Sequence, residues 1–294
     1  FTTLYFNNNA LYVVDCNIVS VFFVTFAAVI MLPTVILNSA YWGQCDSIYT
    51  TFIILTLLYL YREKYHRAFM FLGIAFAFKM QTIFIFPFII CFYIYKKQFS
   101  IFELLITVFT FWISGIGAFV QGRSLLDPFR IYANQTGTYQ YMHVNFPSFW
   151  MFVGNDYEWL KTAAIVMAAG ICGMGLYIIM KRKLDCSRPE NFVSIASWFI
   201  WTCVLFLPAM HERYAYPLEI LLVILTCINK DYLKYSSVAI LFSLFTYGNY
   251  LFSNGGLDKY IVIIYAGCYL HFTYTILKKN SKAATVTDKE MQNE

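Results

Sequence analysis

Apolar residues fall into long runs separated by short polar breaks, occupying 18–37, 48–61, 101–120, 162–180, 192–208, 214–228, 236–252 and 260–277. A straight helix crossing hydrocarbon needs roughly 20 predominantly apolar residues. Several of these runs reach that length only with flanking aromatics, the residues that sit at a membrane–water boundary. The pattern predicts about eight transmembrane helices. Between the second and third runs, residues 68–78 and 82–95 are both apolar and short, and Lys79, Met80 and Gln81 part them.

The basic residues agree with this layout. Fifteen of the 21 Lys and Arg fall in five clusters: Arg62/Lys64/Arg67, Lys96/Lys97, Lys181–Arg188, Lys230/Lys234 and the stretch from Lys278. Cytoplasmic loops carry such an excess. With Arg67 and Lys96 both on that side, residues 68–95 must enter and leave by the same face. They are predicted to form a re-entrant pair of short helices with Lys79 and Gln81 at the tip. Irregular backbone at that depth requires surrounding protein or a water-filled cavity.

Composition sharpens the class. The chain of 294 residues is 60% hydrophobic and 13% charged, with mean hydropathy +0.60. A soluble domain carries about 25% charged residues, so an ordinary cytosolic enzyme, a disordered chain and a nucleic-acid-binding module are excluded. The predicted fold is an all-α polytopic membrane protein. Residues 1–277 form its transmembrane domain, and the polar segment 278–294 is a cytoplasmic tail predicted to be disordered. No secretory signal peptide is legible ahead of the first run. Eight scattered cysteines show neither a disulfide framework nor metal spacing, and no metal is predicted. Gly170, Gly173 and Gly175 lie in an apolar helix without a preceding strand, and there they serve helix packing rather than phosphate binding.

Polar residues concentrate on the external side, in Asn38–Ser47, the loop 121–161 and Met210–Tyr214. A loop of that length is functional or carries short helices of its own. Charge inside a membrane is costly and normally faces a cavity or a partner. Lys79 is therefore a candidate phosphate ligand with Gln81 beside it, and its bland alternative is a snorkelling lysine. Around His211-Glu212-Arg213-Tyr214, Arg213 suits a phosphate, and His211 or Glu212 suits proton handling at a hydroxyl. An interfacial belt is the alternative there. Asn38, Trp42 and Gln44 suit a sugar, and Asp46 is an acid available as a base. The long loop adds Arg123, Asp127, Arg130, Gln135, Tyr139, His143 and Asn145. An enzyme acting on a lipid-linked anionic substrate fits these features. A transporter also fits, although its site belongs near the midplane, whereas these residues cluster in the outer half.

Four stretches in this order carry a resemblance. The run Leu32-Pro33-Thr34-Val35-Ile36-Leu37-Asn38-Ser39-Ala40-Tyr41-Trp42-Gly43-Gln44-Cys45-Asp46-Ser47-Ile48-Tyr49 resembles a signature of bacterial membrane mannosyltransferases. These are relatives of the eukaryotic GPI mannosyltransferase II in the GT-C superfamily. Gly73-Ile74-Ala75-Phe76-Ala77-Phe78-Lys79-Met80-Gln81 is similar to the family's apolar run ending in Lys-x-Gln. Ile131-Tyr132 with Gln135, Tyr139 and Asn145 resembles its long external loop, and Leu207-Pro208-Ala209-Met210-His211-Glu212-Arg213-Tyr214 its Met-His-Glu-Arg-Tyr element. Together they cover roughly 30–215.

The resemblance implies a GT-C-like glycosyltransferase of the plasma membrane, bacterial inner membrane included. It would move a hexose, mannose by analogy, from a polyprenyl-phosphate sugar to a glycan or lipid-linked acceptor on the external face. No cofactor beyond that lipid-linked donor is implied. Lys79, Arg123 and Arg213 would take the phosphate, and Trp42, Gln44, Gln135, Asn145 and His211 the sugar or acceptor. The family's base lies in an external loop ahead of the stretch matching Leu32. The expectation is thus that the chain is an N-terminally truncated member, with Asp46 the acid left to take the role. A flippase of a lipid-linked saccharide, or an inactive assembly subunit, is the alternative.

Overall fold

The computed structural model describes residues 3–7, 10–14, 26–27, 29–135, 138–252 and 259–291, with side chains from Phe26 to Lys279 of that set. Helix accounts for 77% of the structure, so the all-α class holds. Two compact units are present, Phe1–Gln44 and Cys45–Glu294. In the first, β1 (Thr3–Asn7) pairs antiparallel with β2 (Ala10–Val14), a hairpin absent from the sequence prediction. Pro33–Val35 and Ile36–Tyr41 then form short helical pieces, the second wound as a π-helix. Residues 18–25 and 28, part of the first predicted span, lie outside the described residues.

The second unit begins with α1 (Asp46–Tyr61) and α2 (Tyr65–Phe78). The turn between them places Glu63 at φ 57°. Phe52 stacks on Phe78 at 5.8 Å and Tyr59 on Phe71 at 5.3 Å, so the pair runs antiparallel. At Lys79 the backbone becomes extended (φ −157°, ψ 132°), a 3₁₀ turn covers Met80–Ile85, and α3 (Phe86–Lys96) leads back. Tyr65 Oη donates to Gln98 Oε1 at 3.2 Å, and Phe99 packs on Tyr65 and Phe69. The two ends of segment 65–99 therefore meet.

The predicted span 101–120 is two helices rather than one, α4 (Glu103–Ile113) and α5 (Ile116–Val120). Ser114 Oγ donates back to the Thr110 carbonyl at 2.7 Å and Gly115 follows it. A back-bonded serine next to a glycine weakens the helical ladder at that point. Loop 121–161 carries α6 (Asp127–Gln135), β3 (His143–Val144) and a 3₁₀ turn at Phe149–Phe152.

Next come α7 (Tyr157–Lys181), α8 (Pro189–Phe206), α9 (Tyr216–Ile228) and α10 (Leu233–Phe252). Between α8 and α9, β4 (Met210–His211) pairs parallel with β3. Helix α11 (Lys259–Met291) is continuous and takes in the segment from Lys278 that the sequence reading set apart as a tail.

Helix α8 is the hub, with nearly every residue from Asn191 to Leu205 buried. Polar tips are satisfied across its interface with α11. Trp198 Nε1 donates to Thr273 Oγ1 at 2.8 Å, and Thr202 Oγ1 hydrogen-bonds Tyr269 Oη at 2.8 Å. Helix α7 buries only Ala164, Ala168, Cys172, Gly175 and Ile179, one stripe of mostly small residues. Of the three glycines predicted to pack, only Gly175 does so. A Cβ there would meet the Trp198 ring at 2.4 Å, whereas nothing lies within 4 Å of the Cβ position at Gly170 or Gly173. Among the described residues, Tyr157–Lys181 and Lys259–Lys279 are long and apolar enough to cross a membrane. Five shorter apolar helical segments accompany them.

Candidate functional site

The antiparallel α1/α2 pair sets the N-terminus of one helix beside the C-terminus of the other. Asp46 opens α1 and Lys79 follows α2, which places each charge at the helix end whose dipole favours it. They form an ion pair. Asp46 is fully buried, and the Lys79 side chain is 12% exposed. Lys79 is thus held at the end of the helical pair by a carboxylate. Its Nζ also lies 5.4 Å from the Tyr49 ring centroid and 5.9 Å from that of Tyr214.

The segment after α8 supplies the rest. Arg213 reaches Glu212 Oε1 through Nη1 at 3.0 Å, and its Nε lies 3.9 Å from Asp46 Oδ2. His211 Nδ1 is 3.8 Å from Glu212 Oε2, and Glu212 is fully buried. Thr246 of α10 donates to the Glu212 carbonyl at 3.2 Å, fixing that backbone. Gln81 lies beside the Tyr214 side chain. Two acids and two cations therefore interlock, with Arg213 joining the Asp46–Lys79 pair to the Glu212–His211 pair. Burial of such charges is tolerated because each has an opposite charge at hand.

The long loop is fastened over this cluster. His143 pairs with Met210 and Val144 with His211, and the Ala209 N–H donates to the Met142 carbonyl at 3.0 Å. Ala209 takes φ 58° and Asn145, directly after β3, φ 53°. Tyr139 lies edge-on to His211 at 4.4 Å, and His211 is 5.0 Å from Tyr214. Away from the apolar helices, burial pushes the His143 imidazole below its ordinary value.

Tyr49 Oη, His211 Nε2 and Glu212 Oε2 are buried in this cluster with no hydrogen-bond partner among the described residues. Leaving one such group unsatisfied costs about 1–3 kcal/mol. Three of them beside a charge cluster are donors and acceptors suited to the hydroxyls of a ligand.

Of the residues singled out from sequence, Asp46, Lys79, Gln81, Tyr139, His211, Glu212, Arg213 and Tyr214 come together here. Others do not. Arg123 is exposed and lines a different cavity, with Ser114, Asp127 and Tyr132. Gln135 is exposed at the end of α6. Asn38, Trp42 and Gln44 belong to the first unit.

Two features escaped the sequence. Tyr49 stands three residues after Asp46, a spacing that puts both on one face of a helix. Glu219 of α9 is fully buried and accepts a hydrogen bond from Ser243 of α10; an acid inside an apolar run was its signal. Among the described residues no group of three or more His, Cys, Asp and Glu side chains is placed to hold a metal. No family model, curated protein or solved structure matches this chain.

Proposed function

We propose that the chain is a polytopic membrane glycosyltransferase of about eight spans with a cytoplasmic C-terminus. It transfers a hexose, mannose by resemblance, from a polyprenyl-phosphate sugar to a hydroxyl of an external glycan or glycolipid acceptor. One observation carries the reading: a fully buried carboxylate, Asp46, flanked by Lys79 and Arg213 and joined through Arg213 to Glu212. Membrane residence is supported by the large apolar side chains that α7 leaves exposed, among them Trp159, Val166, Met174 and Tyr177. Apolar surface of that extent marks a lipid or protein contact.

In this reading the acceptor oxygen attacks C1 of the donor sugar, and the C1–oxygen bond to phosphate breaks with polyprenyl phosphate as leaving group. The acceptor proton passes to a carboxylate, Asp46 or Glu212. Lys79 and Arg213 meet the negative charge that grows on the departing phosphate. Lys79 is bonded to Asp46, and a donor phosphate competes for the same ammonium. Its arrival frees Asp46 to accept a proton. His211 Nε2 and Tyr49 Oη remain to hold sugar hydroxyls.

The test uses the full chain in lipid nanodiscs with a labelled polyprenyl-phosphate mannose and a panel of glycan and glycolipid acceptors. Release of polyprenyl phosphate, lost in Lys79→Met and Arg213→Ala, is the expected result. Saccharide movement across the bilayer of proteoliposomes with no bond broken would instead identify a flippase. Neither release nor movement would leave an assembly subunit.

A further inference from the structure

The opposite end of α8 carries a second charged cavity that the transfer chemistry does not use. Its volume is about 380 Å³, and it lies between the start of α10 and the face of α11 that ends at Lys279. His271, Tyr274, Thr275 and Lys278 line it from α11. Their spacing of three, four and seven residues puts them on one side of the helix. Lys234 and Asp231 close it from the other side.

Lys234, Lys278 and Lys279 outnumber the two acids near this cavity, Glu190 and Asp231, and Lys279 pairs with both. Lys279 Nζ lies 2.9 Å from Glu190 Oε1 and 3.1 Å from Asp231 Oδ2, so one ammonium occupies both carboxylates. Asn229 Nδ2 adds a hydrogen bond to Glu190 at 3.1 Å. Lys234 and Lys278 are left with no carboxylate within 4 Å among the described residues. Each instead rests over a tyrosine ring, Tyr235 at 5.0 Å and Tyr274 at 5.6 Å. His271 Nδ1 hydrogen-bonds Tyr235 Oη at 2.8 Å, which leaves Nε2 as the imidazole's remaining polar atom. Arg182 stands close by, its Nη1 donating to the Leu277 carbonyl at 3.4 Å.

We infer that this cavity binds a phosphate group, held by Lys234 and Lys278 with His271 Nε2 as a further donor. Two compact ammonium groups from different helices suit a tetrahedral anion with several acceptor oxygens. A planar carboxylate is better matched by an arginine fork. The phosphate can belong to an anionic lipid headgroup, the ligand of basic pockets at the cytoplasmic ends of membrane helices, or to a soluble phosphate. The lipid source rests on the membrane reading above; the phosphate chemistry does not, and neither depends on glycosyl transfer.

The experiment measures two bindings by the full chain. The first is phosphatidylglycerol retained from mixed phosphatidylcholine nanodiscs, read by native mass spectrometry. The second is inorganic phosphate titrated in detergent. Wild type is compared with the Lys234→Gln/Lys278→Gln double variant and with Lys161→Gln, whose lysine pairs with Glu158 at the other end of α7. At about fivefold per lysine near an anionic surface, the double variant is expected to lose roughly 30-fold in affinity, and Lys161→Gln nothing. Loss confined to phosphatidylglycerol assigns a lipid headgroup, and equal loss for inorganic phosphate assigns a soluble ligand. Phosphate binding by a chain that fractionates away from membranes would keep the site and sink the membrane reading. Retention of both bindings in the double variant, or the same loss in Lys161→Gln, overturns the proposal.

Discussion

Removing Lys79 tests the charge cluster most directly. In Lys79→Met the Asp46 carboxylate stays fully buried and loses its ammonium, with the Arg213 Nε at 3.9 Å. Breaking a buried pair by deleting one partner costs about 3–5 kcal/mol, because the remaining charge is uncompensated. At an effective dielectric of about 20, a charge at that distance returns about 4 kcal/mol of gross attraction before desolvation. That places the expected loss at the low end, about 3 kcal/mol. Asp46→Asn leaves a lysine that is 12% exposed and lies over the Tyr49 and Tyr214 rings, so its cost is smaller, about 2 kcal/mol. The double variant removes both charges and is expected to lose about 3 kcal/mol, a coupling of about 2 kcal/mol. Unfolding of all four proteins in mixed micelles, titrated with SDS, reads these differences. Losses in the double variant that equal the two single losses summed, to within about 0.5 kcal/mol, would refute a buried Asp46–Lys79 pair.

Other outcomes follow from local geometry. A Cβ at Gly73 would lie 2.6 Å from the Thr107 carbonyl oxygen and 2.7 Å from Thr110 Cβ. Gly73→Ala should therefore pry α2 from α4 and cost about 1–3 kcal/mol in the same titration. Gly170→Ala, with open space around it, should be neutral or stabilising, since alanine is the better helix former by about 1 kcal/mol. Burial pushes the Cys186 thiol up to about 12, so little reactive thiolate exists at pH 8. Alkylation there should be at least about 100-fold slower in the folded chain than in SDS, and should accelerate as pH rises; equal rates would contradict the buried position. Glu212→Gln keeps the shape of the cluster while removing a charge that faces Arg213 and His211. In the transfer assay it should lower turnover more than donor affinity, and an unchanged turnover would assign the proton to Asp46.

The helix break at Lys79 was legible because its evidence is local: a polar triplet between two short apolar runs. The partner that holds Lys79 was not. Asp46 is 33 positions away in the chain, and only the antiparallel packing of α1 on α2 makes the helix ends neighbours. The Met210–Tyr214 segment stood out as polar density between apolar runs, yet nothing local foretold that Arg213 would join two acids. The division of 101–120 was missed because hydropathy is continuous across Ser114-Gly115, and the break is one of backbone hydrogen bonding. Arg123 and Gln135 matched by residue type, but type does not fix direction, and both stand exposed. The hairpin of β1 and β2 has strands of only five residues each, too short for apolar alternation to mark them.

The spacing of the buried charges along the chain also has a consequence in time. Asp46 leaves the ribosome first, and Lys79 follows 33 residues later. At synthesis rates of about 5–20 residues per second, that gap lasts roughly 2–7 s. Arg213 and Glu212 arrive much later still. For that interval α1 carries an acid whose cation has not yet been made, and a carboxylate without a partner is costly in hydrocarbon. In the proposed membrane setting the nascent acid waits at the aqueous boundary until α2 closes against α1. Pausing translation between Asp46 and Lys79 would prolong that exposed stage, so codon choice across this short interval bears on how much of the chain assembles correctly.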